Sequence, residues 1–456
     1  MKDKVLFMAI GLIVAISSNA WANIETKAGG SLRLRHEYLQ NLNDMDNDQK
    51  DNRNYFRVRT SLWGQVDYEK SFSLFAKLTD EFKPYTYFAG TTSSVPDKTA
   101  GKKGYHFDIN EVVFDNLYFD LKKPLDLPWN LRIGRQDFAG DYGEGFLIFD
   151  GTPNDGSRTF YFNAAKAAWS VNDKNSLDFI YINDQRDEET LPSINPTKLV
   201  NASNPRLDKV PQSLTTTDEQ AGVLYWKNKD LKNLAFEGYY IYKYEAEEGG
   251  RGLQSQRGRI NTLGSFSKYS LGSWALRWQF ANQFGDYGAN GRRGFGGYGY
   301  VDKNINSLLW TPQLSLGYIY LSGDKTSTAR NEAWDPLFSR APWLSEIYGA
   351  SFGTENGVSY YWSNLQMYRT SLVLSPSKKL KLSFWYNFLR ANAQVAPSAV
   401  FSGTGKTRGN LLQSKIEYVF NKNVSTFFLA EYLIPGNFYK DKDPAIFLRS
   451  ELSVKF

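Results

Sequence analysis

The sequence has 456 residues, of which 41% are hydrophobic and 16% aromatic, and it contains no cysteine. Disulfide bonds and thiolate metal sites are therefore excluded. The 54 Lys and Arg residues against 48 Asp and Glu residues leave a net charge of only +6. This mild excess forms no basic block of the kind that binds nucleic acid, so no nucleic-acid partner is expected.

The first 22 residues are predicted to be a cleaved secretory signal peptide. They combine a positive start, an apolar run over residues 5–16 and an Ala20-Trp21-Ala22 cleavage site, which is the order found in such peptides. The mature chain, residues 23–456, is expected to form a single domain. No later stretch approaches the ~20 apolar residues that a transmembrane helix needs. An exported chain of this kind is either a periplasmic protein or a membrane barrel.

Alternation of apolar and polar residues is the dominant pattern of the mature chain and predicts strands with one apolar face. It is first seen where Leu32 and Leu34 alternate with Arg33 and Arg35, and it recurs at 56–65, 273–284, 380–388 and 446–456. These stretches are about 10 to 16 residues long, whereas soluble strands usually have ~5–6 residues and membrane-crossing strands ~9–11. The pattern therefore favours an all-β, closed antiparallel transmembrane β-barrel in the outer membrane of a Gram-negative bacterium.

Connections along the chain alternate between short and long, as outer-membrane barrels require. Eight tight turns and nine long polar loops are predicted, and together they join eighteen strands. One loop is expected over 285–297; because the segment 298–306 after it is glycine-rich and poorly alternating, sixteen strands is the alternative. The loops 184–218 and 322–359 are long enough to fold inward as a plug or gate. The chain ends on Phe456, in register with the apolar face of the last strand, which resembles the signal that barrel assembly machinery reads.

Arginine is the informative residue of the polar face. A charge facing lipid at mid-depth costs ~2–4 kcal/mol, so arginines on the polar parity of their strands are predicted to face the lumen. Rings of arginine select anions, and a guanidinium binds a carboxylate through two hydrogen bonds. The alternative is a generic porin lining in which these arginines are paired with acids. The inward-facing set is Arg33, Arg35, Arg57, Arg59, Arg132, Arg277, Arg369 and Arg449. Trp385 shares the inward parity and either stacks on a sugar or packs under a loop.

Catalytic and metal motifs are poorly represented. The only histidines are His36 and His106, and neither is predicted to lie beside a nucleophile as hydrolytic catalysis requires. The run from Gly403 to Thr407 imitates part of a phosphate-binding loop without the first glycine of the motif. Asp44, Asp46 and Asp48 have the spacing of the first calcium ligands but not the rest of an EF-hand, so a solvated acidic loop is preferred to loop calcium. No enzyme activity, cofactor or metal is expected.

One stretch carries a family resemblance. Residues 131–136, Leu-Arg-Ile-Gly-Arg-Gln, together with 141–145, 151–153 and 157–160 resemble the alginate export family of outer-membrane barrels. Further agreement is found at 318–324, 334–338 and 362–365. The resemblance implies a monomeric eighteen-stranded barrel that passes an anionic uronate polymer through an arginine-lined constriction.

The resemblance also suggests individual residues. Arg132, Arg135 and Arg158 lie in its best-matching part, where an arginine would line the constriction. Arg135 has the parity of Leu131 and Ile133, so it reaches the lumen only if the backbone bends at Gly134. The complete predicted anion-selecting set is Arg57, Arg59, Arg132, Arg135, Arg158, Arg277 and Arg369.

The expected function is passive passage of an anionic polysaccharide or another carboxylated solute. The expected partners are outer-membrane lipid, the transported anion, the barrel assembly machinery and a periplasmic assembly partner. Three alternatives remain: an anion-selective uptake porin for small carboxylates or phosphate, an outer-membrane enzyme, and a structural barrel with a sealed lumen.

Overall fold

The computed structural model describes residues 24–48, 52–88, 106–108, 112–138, 140–149, 161–186, 190–193, 198–199, 207–208, 217–247, 257–325, 327–357 and 360–456. The predicted signal peptide lies outside these residues.

Eighteen long strands form one antiparallel sheet, in which each strand pairs with the next. They are β1 (Ile24–Gln40), β2 (Arg53–Tyr68), β3 (Phe72–Phe88), β4 (Val113–Lys122), β5 (Trp129–Gln136), β6 (Phe162–Asn172), β7 (Asn175–Asp184), β8 (Glu219–Asn228), β9 (Leu234–Glu245), β10 (Gly258–Leu271), β11 (Trp274–Tyr287), β12 (Asn290–Asn304), β13 (Gln313–Leu321), β14 (Leu365–Leu374), β15 (Leu380–Arg390), β16 (Thr407–Val419), β17 (Val424–Pro435) and β18 (Ala445–Lys455). A short strand, His106–Asp108, adds to β3, and Lys198–Leu199 pairs with Leu207–Asp208.

The barrel closes where β1 pairs with β18, from Ser31 opposite Lys455 to Gln40 opposite Ile446. Phe456 continues this pairing, because its backbone exchanges hydrogen bonds of 2.8 and 3.0 Å with Gly30. The prediction of a closed eighteen-stranded barrel is therefore confirmed, and the alternative of sixteen strands is wrong.

The two faces of the strands differ as the alternation predicts. In β11, Trp274, Phe280 and Phe284 are exposed on the outside, whereas Gln279 and Gln283 are buried on the inside. Exposed apolar side chains suit lipid, and a polar inner face suits a water-filled lumen.

The long connection predicted over 285–297 is wrong. β11 and β12 run through this region and meet at a two-residue turn between Tyr287 and Asn290, which lie opposite each other. The strand β12 contains glycines because the ring of Trp334, from a segment that folds into the lumen, packs closely on its inner face. A Cβ atom at Gly296 would lie 2.5 Å from Cδ2 of Trp334.

Two segments from the end of the barrel that carries the long loops, the loop end, fold into the lumen. The first, lumen loop A, comprises the described residues of 137–149, which are all but 139. The second, lumen loop B, comprises the described residues of 322–364, which are all but 326, 358 and 359, and contains helix α1 (Glu346–Asn356). Their buried apolar side chains pack against the inner face of the strands and form the core of the molecule; they include Phe138, Phe149, Trp334, Phe338, Phe352 and Trp362. None of the described helices has the length and apolar character needed to cross a membrane.

The opposite end of the barrel, the turn end, carries the eight tight turns. One of these contains a short 3-10 helix, Pro124–Asp126.

Candidate functional site

The predicted arginines of β2 lie on the inner face and are paired with buried carboxylates. Arg57 donates from Nε to Oε1 of Glu81 at 2.8 Å, and Arg59 donates from Nη2 to Oδ2 of Asp115 at 3.1 Å. These pairs belong to a larger cluster on β1, β2, β3, β4 and β18, here called the charge network. Its further members are Arg33, Arg35, Glu37, Arg449 and Glu451. A solute carboxylate would have to compete with these internal carboxylates for each guanidinium.

Arg132 in β5 is paired and partly open to the lumen. Its Nε and Nη2 donate to the two carboxylate oxygens of Asp120 at 2.7 and 2.9 Å, and its side chain is 34% exposed. The guanidinium lies 4.0 Å from the ring centre of Tyr118, which stacks on Phe75 at 5.1 Å. Phe75 in turn stacks on Trp63 at 6.0 Å. Arg132 is thus held by both a carboxylate and an aromatic row.

The backbone bends at Gly134, as an inward placement of Arg135 requires. Gly134 has a φ of 126°, a conformation that favours glycine. Arg135 itself is only 2% exposed, donates to the side chain of Asn163 and the carbonyl of Phe114, and lies 4.0 Å from the ring centre of Tyr161. In this structure it is packed into the wall rather than open to a cavity.

Arg158 and the side chain of His106 lie outside the part of the chain that can be described. His36 is partly buried beside the ring of Phe56, 4.9 Å away, and a ring nitrogen lies 2.6 Å from Oδ1 of Asn54. No nucleophile is among these contacts.

Lumen loop A is attached to the wall by polar contacts. The Tyr142 hydroxyl donates to Oδ2 of Asp178 at 2.8 Å, and the backbone N–H of Gly143 donates to Oε2 of Glu237 at 2.9 Å. Burial, together with the charge of Asp178, raises the pKa of Tyr142 above its ordinary value, so the hydroxyl remains a donor. Gly143 and Gly145 both have positive φ, which forms the turn that carries Glu144 inward.

Arg277 in β11 binds lumen loop A to the inner face of the barrel through Glu144. Its Nη1 donates to both oxygens of Glu144 at 2.6 and 2.7 Å, and its Nε donates to Oδ2 of Asp302 at 2.8 Å. The guanidinium also lies 4.1 Å from the ring centre of Tyr300. Arg277 and Glu144 line two adjoining cavities of about 330 and 300 Å³ between the loop and the wall. The first also contains Gly272 and so opens toward the turn end.

Arg369 in β14 lines the second of these cavities and is bonded only to neutral groups. Its Nη1 donates to Oδ1 of Asn387 at 2.9 Å and to Oε1 of Gln413 at 3.5 Å. Among the residues that the structure describes, no carboxylate lies within 4.0 Å of its nitrogens. The guanidinium lies 5.5 Å from the ring centre of Trp385, which also lines the cavity. Arg369 therefore combines an uncompensated cation with an aromatic face in a space large enough for a small ligand.

Lumen loop B is fixed through both ends of helix α1. At its N-terminus, Glu431 of β17 accepts from the Ser345 hydroxyl at 2.6 Å and the Ile347 N–H at 3.0 Å, where the helix dipole favours an anion. At its C-terminal end, Arg408 of β16 donates to both oxygens of Glu355 at 2.7 and 2.8 Å. The inward fold predicted for residues 322–359 is thus confirmed for the described part of that loop, whereas most of the other such loop, 184–218, lies outside the described residues.

Asp335 holds lumen loop B near the loop end of the barrel. It lies 3.4 Å from Arg292 and accepts from the Tyr361 hydroxyl at 2.7 Å. Burial by itself would raise the pKa of Asp335, but the positive charges of Arg292, Lys243 and Arg340 outweigh it and lower the pKa below its ordinary value. The carboxylate is therefore ionised and holds the loop near neutral pH.

Glu144 and Trp343, which complete the cavity at Arg369, were not predicted as site residues. The sequence contained a signal for Glu144, because it stands between two glycines in a segment that resembles the alginate export family. Trp343 had no such signal. The anion-selecting role of the seven predicted arginines stays a prediction.

Comparisons with known proteins agree with this architecture. The family model described as "Alginate export" matches residues 25–450. A search of curated proteins by sequence finds no match.

Solved porins share the fold over nearly their whole length. A BenF-like porin from Pseudomonas fluorescens Pf-5 has a TM-score of 0.58 at 10% identity, covering 95% of this chain and 98% of the porin. OccK5 (OpdH) from Pseudomonas aeruginosa has a TM-score of 0.55 at 12% identity, covering 94% and 98%. OccK2 (OpdF) from the same organism, solved with glucuronate, has a TM-score of 0.53 at 10% identity, covering 95% and 98%. Family and fold together place the chain in the outer membrane of a Gram-negative bacterium, with the architecture of a transport channel.

Proposed function

This chain belongs to the alginate export family, and we propose that its barrel passes an alginate-like polyuronate, or another carboxylated solute, along the inner wall beside Arg369. The observation that carries the proposal is the environment of Arg369: a guanidinium without a carboxylate partner in the described chain, lining a cavity together with Trp385. A cation in this state attracts an anion without first having to release an internal one.

The guanidinium can hold a passing carboxylate through hydrogen bonds. Both hydrogen bonds that Arg369 makes use Nη1, which leaves Nε and Nη2 for a ligand. These two atoms form one side of the planar fork that matches a carboxylate. Conduction requires binding strong enough to draw the solute in and weak enough to release it. The neutral amides that orient Arg369 meet this requirement, because they position the fork without neutralising it.

Arg277, which lines the same cavity as Arg369, provides the next binding position for a solute carboxylate. It is held by Asp302 on its own side of the lumen and by Glu144 from lumen loop A. Glu144 occupies the position that a solute carboxylate would take on Nη1. We therefore assign Glu144 the role of an internal, displaceable ligand, and a uronate that replaces it would loosen the loop.

The second candidate is uptake of small carboxylates. OccK2, which shares the fold, was solved with glucuronate, a single sugar acid. A cavity of about 300 Å³ suits a small acid as well as one segment of a chain. Passage of a polymer and uptake of a small acid differ in how binding affinity depends on the length of the solute. A uronate chain that spans both Arg369 and Arg277 binds more tightly than a single uronate does.

Family and fold are those of a transport channel, and we propose that the chain has no catalytic activity. An enzyme that depended on its histidines would lose function when His36 and His106 are replaced, whereas a channel would not. A sealed structural barrel would show no conductance. The assembly machinery that would read the strand ending at Phe456, and a periplasmic partner that would deliver polymer, belong to the same proposal.

Ion selectivity in planar bilayers tests the proposal. The full-length protein, purified in detergent and inserted into a bilayer, is placed in a KCl gradient, and the reversal potential is measured. Selectivity for chloride is expected because Arg369 has no carboxylate partner among the described residues. Selectivity for potassium would contradict the proposal, and absence of conductance would favour the sealed barrel.

A further inference from the structure

Two arginines lie on the lipid-facing side of the barrel, near the end that carries the long extracellular loops. Arg259 in β10 and Arg293 in β12 are both exposed, and their neighbours Ile260 and Arg292 are buried on the inner face. Within the described residues, neither Arg259 nor Arg293 forms an ion pair or a side-chain hydrogen bond. Both cations are therefore available to a ligand outside the barrel.

The position of Arg293 along its strand matches the outer membrane interface. Lys303 lies ten residues further along β12, and its Nζ is 4.4 Å from the ring centre of the exposed Trp274 at the turn end. At ~3.3 Å per residue the two cations are ~33 Å apart along the strand. A tilt of about 40° reduces this to about 25 Å along the membrane normal, the height of the apolar band of such barrels. Lys303 and Arg293 therefore mark the two edges of the hydrocarbon layer.

The surface around Arg293 changes from polar to apolar at this depth. Phe284 lies opposite Arg293 and is 52% exposed, and the neighbouring Leu263 and Phe295 are 59% and 39% exposed. On the polar side, the Tyr240 hydroxyl donates to Oδ1 of Asn261 at 2.6 Å. Exposed apolar side chains below a polar layer are what a lipid with a polar head and acyl chains would contact.

The turn between these two strands is short. β11 and β12 meet at a two-residue turn, so the chain that joins them places no long segment over their outer surface. Asp286 lies opposite Arg259 in the strand register, and no ion pair within 4.0 Å joins the two.

We propose that Arg259 and Arg293 bind the phosphate groups of a phosphorylated glycolipid of the outer leaflet, with its acyl chains lying on Leu263, Phe284 and Phe295. Arginine is suited to this role because its fork binds phosphate oxygens in pairs and is more weakly hydrated than an ammonium group. A cation at the interface is tolerated, whereas the same cation at mid-depth would be expelled. This site is separate from the lumen and does not depend on the proposed transport function.

Native mass spectrometry of the purified full-length barrel tests the proposal. The probes are bisphosphorylated lipid A and lipid A whose phosphates have been removed enzymatically. The variant Arg259→Gln/Arg293→Gln is compared with the matched control Lys303→Gln, which removes a cation from the opposite edge of the same face. Heat-dependent gel mobility confirms that each barrel is folded.

The wild type and the Lys303→Gln control are expected to bind bisphosphorylated lipid A equally, and the double variant about tenfold more weakly, because each interfacial cation adds to the attraction. Dephosphorylated lipid A should bind all three proteins as weakly as the double variant binds the intact lipid. The proposal is overturned if the double variant binds intact lipid A as well as the wild type does, or if removal of the phosphates has no effect. It is also overturned if inorganic phosphate without lipid binds as tightly as lipid A.

Discussion

Replacement of Arg369 by Gln is expected to weaken the attraction of the lumen for carboxylates with little effect on folding. The hydrogen-bond partners of Arg369 are the neutral amides of Asn387 and Gln413, so its removal leaves no carboxylate of the described chain without a cation. This distinguishes Arg369 from Arg277, whose removal would leave the buried carboxylate of Asp302 without its guanidinium partner.

The size of the effect follows from the hydrogen bonds that a carboxylate would lose. A hydrogen bond to a charged group contributes ~1.5–3 kcal/mol, and ~1.4 kcal/mol corresponds to a factor of ten in affinity. Because Arg369 is partly open to the lumen, solvent screening places the loss at the lower end, about tenfold. Arg369→Lys keeps the charge but not the planar fork, so an intermediate loss is expected.

The assay is current block of single barrels in planar bilayers by an oligouronate of defined length. The concentration that halves the current should rise about tenfold in Arg369→Gln, and the reversal potential in a KCl gradient should move toward cations. Arg390→Gln is the control, because Arg390 is exposed at the end of β15 and lies on the outward parity. Unchanged block and an unchanged reversal potential in Arg369→Gln, or the same change in Arg390→Gln, would show that Arg369 does not bind the carboxylate.

Three further predictions concern the lumen loops. Glu144→Gln removes the carboxylate that holds Arg277, so lumen loop A should loosen and single-channel conductance should rise; an unchanged conductance would show that the loop does not limit the current. Gly296→Ala places a Cβ atom 2.5 Å from the Trp334 ring, and overpacking of this kind costs ~1–3 kcal/mol. External protease should therefore cleave lumen loop B faster in this variant than in the wild type. An equal cleavage rate would contradict the packing of Trp334 on Gly296. The neighbouring cations lower the pKa of Asp335. The stability that the Asp335 carboxylate contributes is therefore present above the ordinary carboxyl pKa and is lost only as the pH falls through the lowered value. Lumen loop B of the wild type should resist protease at pH 5 as at pH 7, and lumen loop B of Asp335→Asn should be cleaved faster at both pH values.

The barrel was predictable because its evidence is local. In β11 the alternation of Trp274 and Phe280 with Gln279 identifies both faces without knowledge of any other strand. In β12 the residue pattern does not identify the strand. Its glycines indicate a strand only in the presence of Trp334, which packs on Gly296 from a loop that follows the next strand.

The sequence predicts that arginines line the candidate site, but it does not predict which side chains those arginines bind. Parity placed Arg277 and Arg369 on the polar face, yet it carried no information about which acids they meet. Arg277 binds Glu144, which lies 133 positions away in sequence, whereas the described hydrogen-bond partners of Arg369 are both amides. The property that distinguishes Arg369, its lack of a carboxylate partner in the described chain, depends on the fold of lumen loops and on distant strands.

Whether the lumen recognises a carboxylated sugar chain can be measured by comparing two blockers of equal length in the wild-type barrel. One is an oligouronate and the other is a neutral oligosaccharide, each added to single barrels in a planar bilayer. The oligouronate is expected to block the current at much lower concentration, and its block is expected to strengthen with chain length. Equal block by the two sugars, or preference for the neutral one, would contradict this recognition.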